Sequence, residues 1–144
     1  MSSEVEYITV ATRVEAPVAK VWECWTEPDH IVQWNAASDD WCCPRASNDV
    51  RVGGELNSRM EARDGSMGFD FSATYTEVEP NALLAFRMGE GEEARGVRVE
   101  FKEDGDGTVV TETFKPENTF PIEMQRAGWQ SILDRFKAHV EGQG

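Results

Sequence analysis

The chain has 144 residues, of which 40% are hydrophobic and 28% are charged, which is typical of a single globular domain over residues 1–144. Its formal net charge of −13 opposes binding to nucleic-acid phosphates and to anionic membranes, so we expect neither partner. The first residues lack the layout of a signal peptide, no apolar run reaches membrane-span length, and the odd cysteine count indicates no disulfide framework. These features predict a cytoplasmic protein.

The first part of the chain predicts a strand followed by two short helices. Apolar and polar residues alternate over residues 8–16, as they do in a half-buried strand. Pro17 suits the first position of a helix, and apolar residues then recur on one helical face. Pro28 begins a second short helix. Residues 41–43 predict a short strand that ends at Pro44.

The remaining strands are predicted from segments in which apolar and polar residues alternate, separated by turns rich in glycine, aspartate and proline. They cover residues 55–62, 69–76, 83–88, 97–102 and 108–114. Pro121 begins a long last helix, whose apolar face runs to about Val140. Hairpin connections make the sheet antiparallel, and the helices must bury their apolar faces on one side of it.

Several short motifs lie along the chain in an order that is known from one superfamily. They are Ala16-Pro17 with Val21-Trp22, Pro28-Asp29-His30-Ile31 with Trp34, Asp49 to Gly54, Gly68-Phe69, Tyr75 to Pro80, and Gly128-Trp129 with Leu133. In these motifs the chain resembles the START-like or SRPBCC superfamily. Within it, the chain is similar to the single-domain bacterial form of the branch named after the activator of the heat-shock-protein-90 ATPase.

This resemblance implies an α+β helix-grip fold. A curved antiparallel sheet of about seven strands would surround the long C-terminal helix, with two short helices after the first strand and a deep cavity between sheet and helix. The superfamily includes polyketide cyclases, carriers of aromatic rings, lipid-transfer domains and co-chaperone domains, so the fold does not by itself identify a function.

The sequence departs from the branch after the second helix. Relatives often carry Trp-Trp-Gly-Pro there, whereas here Trp34 is followed by Asn35-Ala36-Ala37-Ser38-Asp39-Asp40-Trp41. We therefore expect a different cavity mouth, and the ligand of relatives with the usual motif cannot be carried over to this chain.

Apolar side chains on the inward faces are the candidate ligand-binding residues, because small-molecule sites are mostly apolar and concave. The same side chains would also be expected in a core that is completely filled. A cavity is favoured because the resemblance implies a curved sheet, which leaves space between sheet and helix. The rings of Trp34, Tyr75 and Trp129 combine apolar area with a polar edge, and Ser58 and Gln125 could orient a ligand. The full candidate set is Trp34, Trp41, Met60, Phe69, Phe71, Tyr75, Phe86, Phe101, Gln125, Trp129, Ile132 and Phe136.

Glu112 is the one weak candidate for a catalytic residue. It shares the strand parity of Val110 and Phe114, so its carboxyl group is predicted to face the interior unless a bulge turns it outward. A carboxyl group buried there would have a raised pKa and could act as an acid or base together with Tyr75 or Asp40.

Neither a metal site nor a cofactor site is predicted. Cys42 and Cys43 are adjacent on a strand and point to opposite faces, so together with His30 they chelate poorly. The usual metal-ligand spacings, phosphate loops and dinucleotide motifs are missing from the sequence. His30 and His139 accompany no serine or cysteine in a nucleophile-elbow motif.

The leading interpretation is a binding module for a small hydrophobic molecule of lipid-like, aromatic or polyketide-like character. It predicts that Glu112→Ala leaves binding largely intact. The alternatives are a cyclase-like or hydrolase-like enzyme that uses a cavity carboxyl group, and a co-chaperone-like interaction domain. An exposed apolar stripe could support a weak homodimer, and the sequence does not decide this.

Overall fold

The computed structural model describes residues 7–36, 39–88, 95–116 and 121–142. In chain order its elements are β1 (Ile8–Val14), α1 (Val18–Thr26), α2 (Pro28–Trp34), β2 (Trp41–Asn48), β3 (Glu55–Ala62), β4 (Gly68–Glu79), β5 (Leu83–Met88), β6 (Arg95–Asp104), β7 (Gly107–Phe114) and α3 (Ile122–Gly142). This order confirms the α+β helix-grip fold, with two short helices after the first strand and a long C-terminal helix.

The strands form a seven-stranded sheet in the order β1-β7-β6-β5-β4-β3-β2. Every neighbouring pair is antiparallel. From β2 to β7 each strand pairs with the next one in the chain, as in a meander. The first strand crosses over to pair with the last, which leaves β1 and β2 as the two edges. The sheet curves into a half-barrel around α3.

The edge strand β2 is longer than the sequence indicated. It continues through Pro44 to Asn48, with a register shift between Cys42 and Arg45 in its pairing with β3. An edge strand tolerates proline at such an irregularity, because no ladder hydrogen bond needs its missing N–H. The prediction that Pro44 ends the strand was therefore wrong.

A tight turn joins β2 to β3 at the two predicted glycines. Gly53 has a φ of 86°, a conformation that glycine adopts without steric cost. A Cβ atom on Gly54 would lie 2.1 Å from the backbone oxygen of Asp49, so the chain passes too close for any side chain there. Tyr75 in β4 exchanges backbone hydrogen bonds with this turn, donating to Gly54 and accepting from Gly53.

The hydrophobic core lies between the inner face of the sheet and the three helices. Burial alternates most clearly along β1 and β7, so the sheet has one face toward the helices and one toward solvent. In β5 four consecutive residues, Leu83 to Phe86, are buried. The most deeply buried apolar side chains are Ile8, Val14, Val21, Tyr75, Leu84, Val99, Val110, Phe114, Leu133, Phe136 and Val140. Among the described residues, none of the helices has the length and apolar character that a membrane crossing requires.

Candidate functional site

Glu112 lies at the centre of β7 on the inner face of the sheet. It is opposite Val10 of β1 and Val99 of β6, and neither pairing contains a register shift. Since no bulge turns it outward, the residue is only 5% exposed. The prediction that this carboxyl group faces the interior is confirmed.

The environment of Glu112 favours its neutral form. Burial raises the pKa of this carboxyl group to about 8, because apolar surroundings disfavour the charged form. Desolvation is the cause of this shift, since taking a carboxylate out of water is unfavourable. At neutral pH the group is therefore a buried hydrogen-bond donor.

The structure does not bring a second acid or base to Glu112. The hydroxyl group of Tyr75 donates a hydrogen bond to Oδ1 of Asn48 at 2.6 Å, and burial raises the pKa of Tyr75 to about 12. Tyr75 also stands on β4, three strands away from β7 in the sheet. Asp40 lies exposed in the turn before β2. The predicted partners of Glu112 thus lie elsewhere.

Part of the candidate set forms a closely packed aromatic core. The ring of Trp34 lies 5.0 Å from the rings of both Trp25 and Phe136, measured between centroids. Its Nε1 donates a hydrogen bond to the backbone oxygen of Cys24 at 2.9 Å, so the polar edge of this ring is already used. Phe101 packs edge-on against Trp25 at 5.8 Å. These rings hold the helices and the sheet together.

Another part of the inner face of the sheet is not fully covered by the helices. Helix α3 approaches the sheet most closely at β1, and α2 approaches it at β2, so β3 to β5 lie farther from both helices. Apolar residues of the inward set remain partly accessible in this region and on the facing helix. They are Leu56, Phe71, Met88, Trp129 and Ile132.

Ser58 lies next to these accessible side chains. It pairs with Phe71 across β3 and β4 and is only 3% exposed. Its Oγ is buried without a well-formed hydrogen bond, and the thiol of Cys43 lies beside it as a weak partner. We call Ser58, Leu56, Phe71 and Met88 the Ser58 region.

The structure differs from the prediction for Phe69. The residue has the inward parity of β4, yet it is 52% exposed, because the β3–β4 hairpin extends beyond the core. Phe69 contacts the half-buried Trp41 of the edge strand, with 6.0 Å between ring centroids. Its partner across the hairpin, Met60, is buried.

The remaining candidates lie on or near the inner face. Phe86 packs edge-on against Tyr75 at 6.0 Å, and Gln125 is buried in the first turns of α3. Trp129 stacks on Phe114 with 3.9 Å between ring centroids and 16° between ring planes. A role of the candidate set in ligand binding stays a prediction.

Two open depressions of about 320 and 420 Å³ lie on the β2–β4 side of the sheet. Most residues that line the first one have the outward parity of their strands. They are Arg45, Ser47, Asn57, Arg59, Asp70 and Ser72. Ala46, Ser58 and Phe71, which have the inward parity, also line this first depression, so it adjoins the Ser58 region. The second depression is lined by residues in and around the β2–β3 turn.

Sequence reasoning missed one cluster of side chains. The ligating atoms of Cys24, His30 and His139 lie within 4.8 Å of one another, although the two histidines are 109 residues apart in the chain. Nδ1 of His30 and Nε2 of His139 share a hydrogen bond of 2.8 Å. The sequence holds one indication of this cluster. His30 lies about one helical turn from Trp34 and His139 about one turn from Phe136, so each histidine is on the same helical face as a core aromatic residue.

The burial of this cluster alters its ionisation. Burial, followed by the charges of His30 and Lys20, lowers the pKa of His139. Burial also raises the pKa of the Cys24 thiol. Both shifts favour uncharged side chains.

Comparison with known protein families gives a match over residues 15–141, to the family described as Activator of Hsp90 ATPase homolog 1-like protein. A search of curated proteins gives no match to the chain.

Solved structures resemble the whole chain. The solution structure of the AHSA1-like protein from Aeromonas hydrophila is 42% identical, with a TM-score of 0.88 and coverage of 96% of this chain and 94% of that one. A protein from Cytophaga hutchinsonii is 45% identical, with a TM-score of 0.79 and coverage of 94% and 92%. A protein from Nitrosomonas europaea shares the fold at 19% identity, with a TM-score of 0.83 and coverage of 96% of each chain.

Proposed function

The chain belongs to the Activator of Hsp90 ATPase homolog 1-like family, and we propose that it binds a small hydrophobic molecule between the sheet and α3. The observation that carries this proposal is the hydroxyl group of Ser58, which is buried with no better hydrogen-bond partner than the weakly bonding thiol of Cys43. A buried hydroxyl group that lacks a good partner costs up to about 1–3 kcal/mol, and a polar atom of a ligand would lower that cost.

The surroundings of Ser58 indicate the chemistry of the ligand. Leu56, Phe71 and Met88 are apolar, face inward and remain partly accessible. Such a surface suits an aromatic, lipid-like or polyketide-like molecule, because sites of this kind combine apolar walls with few polar groups. One carbonyl or hydroxyl group on that molecule would pair with Ser58.

Binding without turnover fits this geometry better than catalysis does. General acid–base chemistry needs groups within hydrogen-bond reach of the reacting atoms. Glu112 is buried with a raised pKa, but Tyr75 is bonded to Asn48 and Asp40 is exposed. We therefore assign Glu112 no catalytic role.

We also propose a cytoplasmic location. The three cysteines, Cys24, Cys42 and Cys43, are free thiols. Free thiols suit a reducing compartment, whereas secreted domains of this size more often carry disulfides.

The test is a fluorescence titration with N-phenyl-1-naphthylamine, a neutral apolar probe. Ser58→Phe would place a ring in the Ser58 region. Its matched control is Ser66→Phe, an exposed position in the β3–β4 turn that lines neither depression. We expect saturable one-to-one binding by the wild type and the control, and at least ten-fold weaker binding by folded Ser58→Phe. Equal affinity of the three proteins, or no saturable binding by the wild type, would contradict the proposal.

A second variant separates binding from catalysis. If apolar contact dominates, Glu112→Ala removes at most one neutral hydrogen bond, and the probe affinity changes by less than about ten-fold. Loss of all binding in folded Glu112→Ala would instead give the carboxyl group a central role.

A further inference from the structure

Three side chains from three different helices meet at one point beside the aromatic core. Cys24 comes from α1, His30 from α2 and His139 from α3. The thiol and the two imidazole rings place one nitrogen or sulfur atom each within 4.8 Å of the others. Cys24 is fully buried, and the two histidines are half-buried. The cluster is therefore reachable from solvent through the histidines.

The aromatic core fixes the positions of these donors. Trp34 lies one helical turn after His30 in α2, and its Nε1 donates to the backbone oxygen of Cys24 at 2.9 Å. Phe136 lies one turn before His139 in α3, and its ring packs on that of Trp34 at 5.0 Å. Since the same packed rings support all three helices, the donors are held near one another before any ligand binds.

The donor types match those of zinc sites. Thiolate sulfur and imidazole nitrogen are the ligands that Zn²⁺ prefers, and sites with three protein ligands leave a fourth position for water. In tetrahedral geometry, bonds of about 2.0–2.1 Å to nitrogen and about 2.3 Å to sulfur separate the ligating atoms by about 3.3–3.6 Å.

The observed distances lie on either side of that range. The two nitrogen atoms of His30 and His139 are 2.8 Å apart, and all three ligating atoms lie within 4.8 Å. Side-chain movements of less than about 1.5 Å would bring them to the tetrahedral separations. The hydrogen bond between the histidines would be replaced by two bonds to the ion.

We propose that Cys24, His30 and His139 form a binding site for one divalent transition-metal ion of the zinc type. The charge of Lys20 acts on both Cys24 and His139, and its ammonium group is paired with Glu23 at 3.1 Å. Glu23 thus offsets a positive charge that would oppose a metal ion. A bound ion would link α2 to α3 and fasten both to α1.

The test uses Co²⁺ and Zn²⁺ on metal-free protein under reducing conditions. We expect one equivalent of Co²⁺ to produce the thiolate-to-cobalt charge-transfer absorption and the strong visible bands of a tetrahedral site, and Zn²⁺ to displace it. Zinc should also raise the melting temperature, because a ligand that binds only the folded state stabilises it.

The variants Cys24→Ser and His139→Gln should each lose at least ten-fold in Co²⁺ affinity, and Cys24→Ser should lose the charge-transfer band. The matched control is Cys43→Ser, which alters another buried free thiol outside the cluster. Circular dichroism checks that each variant is folded. If Cys24→Ser does not fold, His30→Gln takes its place in the Co²⁺ titration, because His30 is less buried than Cys24. Failure of the wild type to bind stoichiometrically, or equal affinity in the cluster variants and the control, would overturn the proposal.

Discussion

Glu112→Gln should make the stability of the protein less sensitive to pH. The wild-type carboxyl group has a pKa of about 8 when folded, against 4.5 as its ordinary value. Between these values the folded state holds a proton that the unfolded state has released. The free energy of unfolding therefore falls as pH rises through this window. Glutamine has the same shape and is neutral in both states, so it removes the dependence.

The slope of this effect is about 1.4 kcal/mol per pH unit in the middle of the window. The sequence pI is about 4.5, so measurements should begin near pH 5.5 to avoid isoelectric precipitation. Between about pH 5.5 and about pH 8, the stability of Glu112→Gln relative to the wild type should increase by about 3 kcal/mol.

Urea unfolding at several pH values measures this difference. Comparing the variant with the wild type at each pH cancels the other carboxyl groups, which titrate equally in both proteins. Glu103→Gln is the matched control, since Glu103 is exposed on the neighbouring strand β6. A difference between Glu112→Gln and the wild type that stays constant over this pH range would refute the argument from burial.

Four further variants test the assigned packing. Phe136→Ala should lower the free energy of unfolding in urea by about 3–5 kcal/mol because its ring is fully buried, whereas Phe69→Ala should cost less than about 1 kcal/mol because that ring is 52% exposed. Equal losses would show that this assignment of core and surface is mistaken. Trp34→Phe leaves the carbonyl group of Cys24 without its donor, and thermal denaturation should show a loss of about 1–3 kcal/mol. Gly54→Ala places a methyl group against a backbone oxygen and should cost about 1–3 kcal/mol in the same assay, a result that wild-type stability would contradict.

The strands were predictable wherever local chemistry decides the conformation. The alternation in β3 and β4, the turn at Gly53-Gly54 and the inward position of Glu112 all follow from a period of two residues and from turn-forming residue types. The same reasoning failed at Pro44, because edge position is a property of the sheet rather than of the strand.

The candidate site was only partly predictable for a related reason. Parity correctly indicated that Tyr75 and Phe86 are buried, and it also assigned Phe69 to the interior. Parity states which face a side chain occupies, but not whether a helix covers that part of the face. The hairpin that carries Phe69 extends beyond the core, so its inward-parity ring is half exposed.

The sequence by itself determined the succession of elements, the antiparallel pairing and the family, because these depend on local periodicity and on motifs along one chain. Only the tertiary structure decided which side chains meet. It buried Ser58 with only a weak partner, the thiol of Cys43, and brought Cys24, His30 and His139 together from three helices. The physical reason is that contacts between distant residues depend on how the helices pack on the curved sheet, and no local pattern encodes the distance between His30 and His139.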